Sequence, residues 1–472
     1  MQKHNVFHIC MGPVLALLAF LFLHQLFDRQ SAIAIATMLW MIDWWIFRPV
    51  NMSVTALLPI VINAIFPIVD MSVLLLSYVS SSIVLIFGTG LLSMSWENTG
   101  LDRRIALKVL SCIGPSIHSQ ILVWFSASAI LSSFMPNVAV CALLCPIAIS
   151  MFKSIGYDMH MRNDSINIVL LCIGWGAGIG GVGSPLGGAM NITAISYLND
   201  FTQQEFMYID WVIRMIPYLV IVMAVLSIVM IRIGKDCDPI KGSKAYFNEL
   251  LQHLPPMHRD EKISLVLFVL AVVLAFVRPL YADFFIGLEP AYVFLIIGAL
   301  LFFLRRENGQ PFLTMKQVEK ESLWGMMMLF GGGMALGTLV NESQAAGFIV
   351  DLFLNIPIHN MFLLVVIIFV IATLLSEVTN STVCAAILTS IVLHTTSSMG
   401  FSPIPFWFGL CIAMNAEFLL PISVRAIPVS YGLDPGFMMK KGTKMVLIRL
   451  LIGIGYTYLC MSLFPGFGNL TI

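Results

Sequence analysis

Two short polar islands interrupt long apolar runs in this chain: Pro136-Asn137-Val138 within FMPNV, and Asn380-Ser381-Thr382 within EVTNST. A carboxylate needs several donors: hydroxyls, carboxamides and the free amides of a helix N-terminus, where the positive dipole end also favours an anion. Helices that begin just after Asn137 and Thr382 aim such ends at a shared central point. Two further stretches, GIGGVGSPLGGAMN (178–191) and LLPISVRAIP (419–428), place glycine and proline inside apolar sequence. Irregular backbone in hydrocarbon survives only where protein or a water-filled cavity satisfies its polar groups. Gly188, Asn191 and Ser423 of these breaks therefore join Pro136, Asn137, Val138, Asn380, Ser381 and Thr382 as candidate ligand-binding residues.

Arg425 lies inside the second break, between Pro421 and Pro428. A charge in hydrocarbon costs from about 2.5 to more than about 10 kcal/mol, so it faces a cavity or a partner. Glu377 and Glu417, both within apolar stretches, are candidate partners, and Lys440 and Lys441 mark an interface to which the arginine could snorkel. Glu377 reads as a brace for its island or as a proton carrier. His118 and His394 stand near the ends of the same stretches and could carry protons or simply mark an interface. Trp44, Trp45, Trp124 and Trp211 fit aromatic anchoring at a membrane surface.

The elements that position these residues are transmembrane helices. Of 472 residues, 59% are hydrophobic and 11% charged, with mean hydropathy +0.94, against about 25% charged in a soluble domain. Apolar runs near 12–27, 31–47, 52–69, 71–95, 209–231, 262–280, 285–304, 322–340 and 443–464 match the roughly 20 residues a spanning helix requires. The N-terminal run is too long for a signal peptide and has no small-x-small site directly after it, so it reads as the first span. Nine cysteines scatter mostly through apolar runs without CxxC pairs and read as small core residues. The formal net charge of zero gives no sign of nucleic-acid partners. No HExxH, GxGD or GxSxG is placed for enzyme chemistry, and no cofactor or metal site is expected.

Charge sets an orientation. With the N-terminus in the cytoplasm, 20 of the 25 Lys and Arg fall in cytoplasmic loops or span ends, two (Arg29, Arg278) outside, and three (Arg214, Arg425, Arg449) inside spans. The C-terminus is then outside, and the short termini suit a bacterial inner membrane.

The chain also repeats itself. LIFGTGLLSMSWENTGL (85–101) resembles MLFGGGMALGTLVNESQAAG (328–347) at an offset of 243, PNVAVCALLCP (136–146) resembles NSTVCAAILTS (380–390) at 244, and PLGGAMN and PISVRAI, from Pro185 and Pro421, are offset by 236. The charge map makes the copies enter from opposite faces, and inverted repeats are a transporter architecture with the site at the repeat interface. In each half a stretch, 118–153 and 360–396, accommodates two short helices that turn at a polar island. Without that re-entrant turn Lys153 and Arg162 would lie outside. The fold is expected to be all-α and polytopic. Residues 1–69 are scaffold helices, 70–233 the first repeat (hairpin 118–153, broken helix 166–199) and 234–261 a cytoplasmic loop. Linking scaffold helices follow at 262–321, and the second repeat covers 322–472 (hairpin 360–396, broken helix 403–432).

At these residues the chain resembles the divalent anion:sodium symporter family. WWIFRPVNMSVTALLP (44–59) resembles its early segment, ENTGLDRRIALKVL (97–110) its first cytoplasmic connection, and LFGGGMALGTLVNES (329–343) the opening of its second half. The family's hairpin tips carry Ser-Asn-Thr and its broken helices Thr-Pro-Pro-Asn-like turns, which together bind carboxylate and sodium. Here the first tip keeps only Asn137, whereas the second, Asn380-Ser381-Thr382, is polar throughout with its first two members exchanged. The first break keeps Asn191, and Val424-Arg425-Ala426-Ile427 keeps nothing of its pattern. The resemblance implies a secondary carrier of C4 to C5 dicarboxylates such as succinate, malate, fumarate or 2-oxoglutarate, a homodimer and an elevator-like motion. The lost oxygens weaken the case for sodium, and Arg425 is expected to stand in for a bound cation. A fixed charge cannot leave with the substrate, so exchange of dicarboxylates is favoured over net uptake. The alternative is a sodium- or proton-coupled symporter of dicarboxylate or sulfate.

Overall fold

The computed structural model describes residues 3–157, 163–322, 324–345, 360–415, 417–421 and 423–469. Arg162 lies outside the described residues, as does the side chain of Ser423. Among the described residues the fold is helical, with one isolated bridge, Arg305 to Pro311. Among the described residues eight helices are long and apolar enough to cross a membrane, or nine if a bent pair at Met315–Glu342 counts as one span. Large apolar side chains on the outer surface, such as Phe284, Leu280 and Phe303, are 78–83% exposed, which suits lipid as solvent.

Helices α1 (Lys3–Leu23) and α2 (Arg29–Phe47) pack on each other. Asp28 starts α2 by accepting from Gln30 N and Ser31 N, and Arg48 ends it in the left-handed conformation at φ 51°. The apolar run at 52–69 is not one span. It divides into Met52–Thr55 and Leu58–Ile65 because Pro59 has no amide to give and its ring clashes with the preceding turn.

The two halves then repeat element by element. Helix α3 (Ser81–Thr99) corresponds to the later Trp324–Glu342, both 19 residues long. Helices α4 (Ile117–Ser132) and α5 (Asn137–Ser154) form the first pair. Ser128 Oγ of α4 donates to the Ile173 carbonyl at 2.6 Å, and Cys141 Sγ of α5 reaches the same oxygen at 4.0 Å, so the chain doubles back between them. Helix α6 (Asp164–Gly180) lies against both arms and is almost wholly buried. A Cβ at Gly180 would stand 2.1 Å from the Ala129 carbonyl oxygen, so only glycine permits this approach of α6 to α4. Two 3-10 turns, Gly181–Gly183 and Pro185–Gly187, separate α6 from α7 (Ala189–Thr202), and α8 (Tyr208–Ile233) follows.

Helices α9 (Arg259–Phe276) and α10 (Pro290–Phe303) link the halves and pack on α3, where Gly88 meets the backbone of Phe294 and Leu295. The second half begins with α11 (Trp324–Glu342). Helices α12 (Met361–Val378) and α13 (Ser381–Ser398) form the second pair, doubling back so that Cys384 Sγ reaches the Ala372 carbonyl at 3.4 Å. Then come α14 (Pro403–Met414), an irregular break with a 3-10 turn at Ser423–Arg425, a short helix Ala426–Ser430, and α15 (Pro435–Leu463). Helix α15 starts eight residues before the apolar run, because Asp434 caps it and Pro435 suits its first position.

The tryptophans differ from expectation. Trp45, Trp124 and Trp211 are fully buried, and their indole N–H groups donate to the Met52 carbonyl, Gln120 Oε1 and the Val182 carbonyl. They fill helix junctions because a large ring with one satisfied donor is a good packing block in the interior.

Candidate substrate site

The turn of each helix pair is built locally. At the first, Pro136 takes the extended conformation (φ −54°, ψ 134°) that its ring favours, and α5 starts at once with Asn137. Ser132 Oγ sits 2.6 Å from Asn137 Oδ1 and 2.7 Å from the Ala177 carbonyl, pinning the Asn137 carboxamide between tip and α6. At the second, Asn380 is extended and caps α13 by accepting from Val383 N at 2.8 Å. Arg48 at the end of α2 donates from Nη2 to the Thr379 carbonyl at 2.9 Å, tying the early helices to this tip.

The two tips and the two breaks meet. Pro136, Asn137, Val138, Gly188, Asn380, Ser381, Thr382 and Arg425 all line one cavity of about 100 Å³, together with Thr89 and Gly90 of α3 and Met326 of α11. Residues more than 230 positions apart thus share one wall, as the offset of the repeats requires. Gly188 presents extended backbone (φ −166°) ahead of α7.

Two of the expected residues lie elsewhere. Asn191 is fully buried, and its Nδ2 donates to the Gly181 carbonyl at 2.7 Å and the Ser184 carbonyl at 3.0 Å. It ties the break together from behind instead of facing the cavity, because the interrupted helix leaves carbonyls that need a donor. His394 stands in a separate cavity with Tyr197, Asp200 and Asn341, edge-on to Phe201 at 5.0 Å.

Arg425 is 2% exposed and paired twice. Its Nη1 donates to Glu377 Oε2, and its Nη2 lies 3.4 Å from Glu417 Oε2. Glu377 is also held by Phe418 N at 2.5 Å and Leu419 N at 3.0 Å, so it braces the second break against the second tip. Glu417 Oε1 accepts from both Ser381 N and Ser381 Oγ at 2.7 Å. Arg425 Nε and Nη2 still have no hydrogen-bond partner among the described residues. Arg449 of α15 donates to the carbonyls of Ile412 and Ala413, complementing the negative end of α14. Of the surroundings open to Arg425 in the sequence, the structure shows pairing, with Glu377 and Glu417 together, as a buried guanidinium requires.

Asn415 is a site residue that the sequence reading did not single out, and Glu417, expected only as a partner of Arg425, is another part of the site. Both line the cavity, and Asn415 donates to Asn191 Oδ1 at 3.3 Å while its own Oδ1 has no partner among the described residues. Their signal was two polar residues, two positions apart, inside FWFGLCIAMNAEFLL.

Residues 38–413 match the citrate transporter family. The chain belongs to that family. This citrate transporter family member is 26% identical over 440 residues to the sodium-dependent dicarboxylate transporter SdcS of Staphylococcus aureus strain NCTC 8325, covering 90% of this chain and 84% of the relative. The protein of that name from strain USA300 matches at the same identity and coverage. The fold is similar to the crystal structure of the Alcanivorax borkumensis YdaH transporter, at a TM-score of 0.57 and 13% identity, covering 82% of this chain and 86% of the other. The resemblance to the divalent anion:sodium symporters thus holds, and the chain is a multi-pass membrane transporter of the dicarboxylate and citrate type.

Proposed function

We propose that this transporter carries C4 to C5 dicarboxylates such as succinate, malate, fumarate and 2-oxoglutarate without sodium, with exchange of one dicarboxylate for another as its fast mode. The observation that carries the reading is Arg425, buried at the cavity beside the second tip, with Nε and Nη2 making no hydrogen bond among the described residues. It supplies a permanent cation where a sodium ion would otherwise compensate substrate charge. Asn137 and the α5 N-terminus serve one substrate carboxylate, while Ser381, Thr382 and the α13 N-terminus serve the other, with Val138 and Met190 packing the carbon chain. In this reading the helix pairs and breaks move as one body against the remaining helices of a homodimer. The N-terminus is in the cytoplasm of a bacterial cell, the C-terminus outside the inner membrane.

A second reading, sodium- or proton-coupled symport of dicarboxylate or sulfate, draws support from the name of SdcS and from the pairing of Arg425 with Glu377 and Glu417, which removes the bare charge from the empty site. Uptake of labelled succinate into proteoliposomes, preloaded or not with unlabelled dicarboxylate, in sodium and in choline buffers, tests both. Uptake that is stimulated by internal dicarboxylate and equal in the two buffers supports the first. Uptake into empty vesicles that follows a sodium gradient or a proton gradient supports the second.

A further inference from the structure

The start of α13 offers an anion seat in the cavity, and it is filled by the protein itself. Ser381 N and Ser381 Oγ converge on one oxygen, Glu417 Oε1, at 2.7 Å each, while Arg425 Nη2 stands 3.4 Å from the other. That is the donor set a substrate carboxylate would seek: a helix N-terminal amide, a hydroxyl and a guanidinium. Arg425 lines the same cavity, and two of its buried nitrogens, Nε and Nη2, make no hydrogen bond among the described residues. Glu377, in contrast, lies outside the lining of the cavity and accepts from Arg425 Nη1 and from the amides of Phe418 and Leu419, which do not line it either. The two carboxylates have different tasks: Glu377 holds the break together, and Glu417 occupies a place that another carboxylate can take.

We propose that Glu417 is a built-in occupant of the substrate-carboxylate seat, held there while the carrier is empty and displaced when a dicarboxylate binds. The proposal rests on the dicarboxylate reading only for the identity of the displacing ligand. Its consequence concerns the return of the unloaded carrier. With Glu417 seated, the donors of Ser381 and one side of Arg425 stay satisfied, so the empty carrier can reorient and allow slow net transport beside fast exchange. Without that carboxylate, the empty site holds unmet donors in a low-dielectric interior and is trapped until a substrate arrives.

The test uses the full-length protein with Glu417→Ala and Glu417→Gln. In Glu417→Ala the vacated seat should accept acetate, so thermal unfolding of the variant in detergent shifts upward with added sodium acetate over sodium chloride, and the wild type does not shift. Because Glu417→Ala also leaves a cavity and could fail to fold, Glu417→Gln, which keeps the volume and removes the charge, is measured in proteoliposomes. Its apparent affinity for succinate should rise about tenfold, since one competing charge-assisted contact is weakened, while efflux into dicarboxylate-free buffer falls at least as much relative to exchange. Equal acetate responses in Glu417→Ala and wild type, or an unchanged ratio of net efflux to exchange in Glu417→Gln, would overturn the proposal. An acetate shift confined to Glu417→Ala, found in a protein that neither binds nor moves succinate, would uphold the seat and reject the dicarboxylate reading.

Discussion

Removing Arg425 is the perturbation whose size can be worked most directly from the structure. Its Nη2 is 3.4 Å from Glu417 Oε2, a separation at which unit charges attract by about 5 kcal/mol at an effective dielectric of about 20. The full amount is not lost in Arg425→Ala, because each carboxylate keeps other donors. Glu377 retains the amides of Phe418 and Leu419, and Glu417 retains both donors of Ser381. The net loss should therefore fall near the lower end for breaking a buried pair, about 3 kcal/mol. If that loss is felt in substrate binding, succinate counterflow in choline buffer falls about 150-fold. The two carboxylates, now facing a vacated space, form an oxygen-rich pocket of the kind a small cation accepts. Sodium should therefore restore part of the transport in Arg425→Ala and raise its unfolding temperature, with no effect of either kind on the wild type. Arg425→Lys, which keeps the charge, should remain sodium-independent at a reduced rate and serves as the folding control. An Arg425→Ala protein that exchanges succinate at the wild-type rate in choline would refute the assignment of Arg425 as the resident cation.

Asn191→Ala removes two donors to the carbonyls of Gly181 and Ser184 and should destabilise the protein by about 1–3 kcal/mol; thermal unfolding checks this, with the succinate KM of the surviving fraction unchanged. Arg48→Ala deletes the contact between the end of α2 and the Thr379 carbonyl, and a charged hydrogen bond worth about 1.5–3 kcal/mol should appear as at least a tenfold change in counterflow rate with little loss of thermal stability. Gly180→Ala places a methyl 2.1 Å from the Ala129 carbonyl oxygen, so α4 and α6 must separate, and the variant should be recovered in low yield and unfold at lower temperature in detergent.

The sequence by itself determined the membrane class, the repeat and the positions of the tips and breaks. These follow from one-dimensional rules: hydrocarbon selects long apolar helices, and glycine, proline and asparagine mark where a helix must stop or turn. The pairs at 118–153 and 360–396 were legible for that reason, as was the sharing of one cavity by Asn137, Asn380 and Arg425. The division of 52–69 at Pro59 was also legible in principle, but apolar content alone concealed it. Only the tertiary structure decided how side chains face. Asn191 and Asn137 are the same residue type beside similar breaks, yet one turns to backbone carbonyls and the other lines the cavity. Glu377 and Glu417, 40 residues apart, were both candidate partners of Arg425 in the sequence, but only the structure pairs it with both at once and seats Glu417 on Ser381, a candidate substrate residue. Pairing of buried charge depends on distances of a few ångströms between separate helices, and no spacing along the chain encodes those distances.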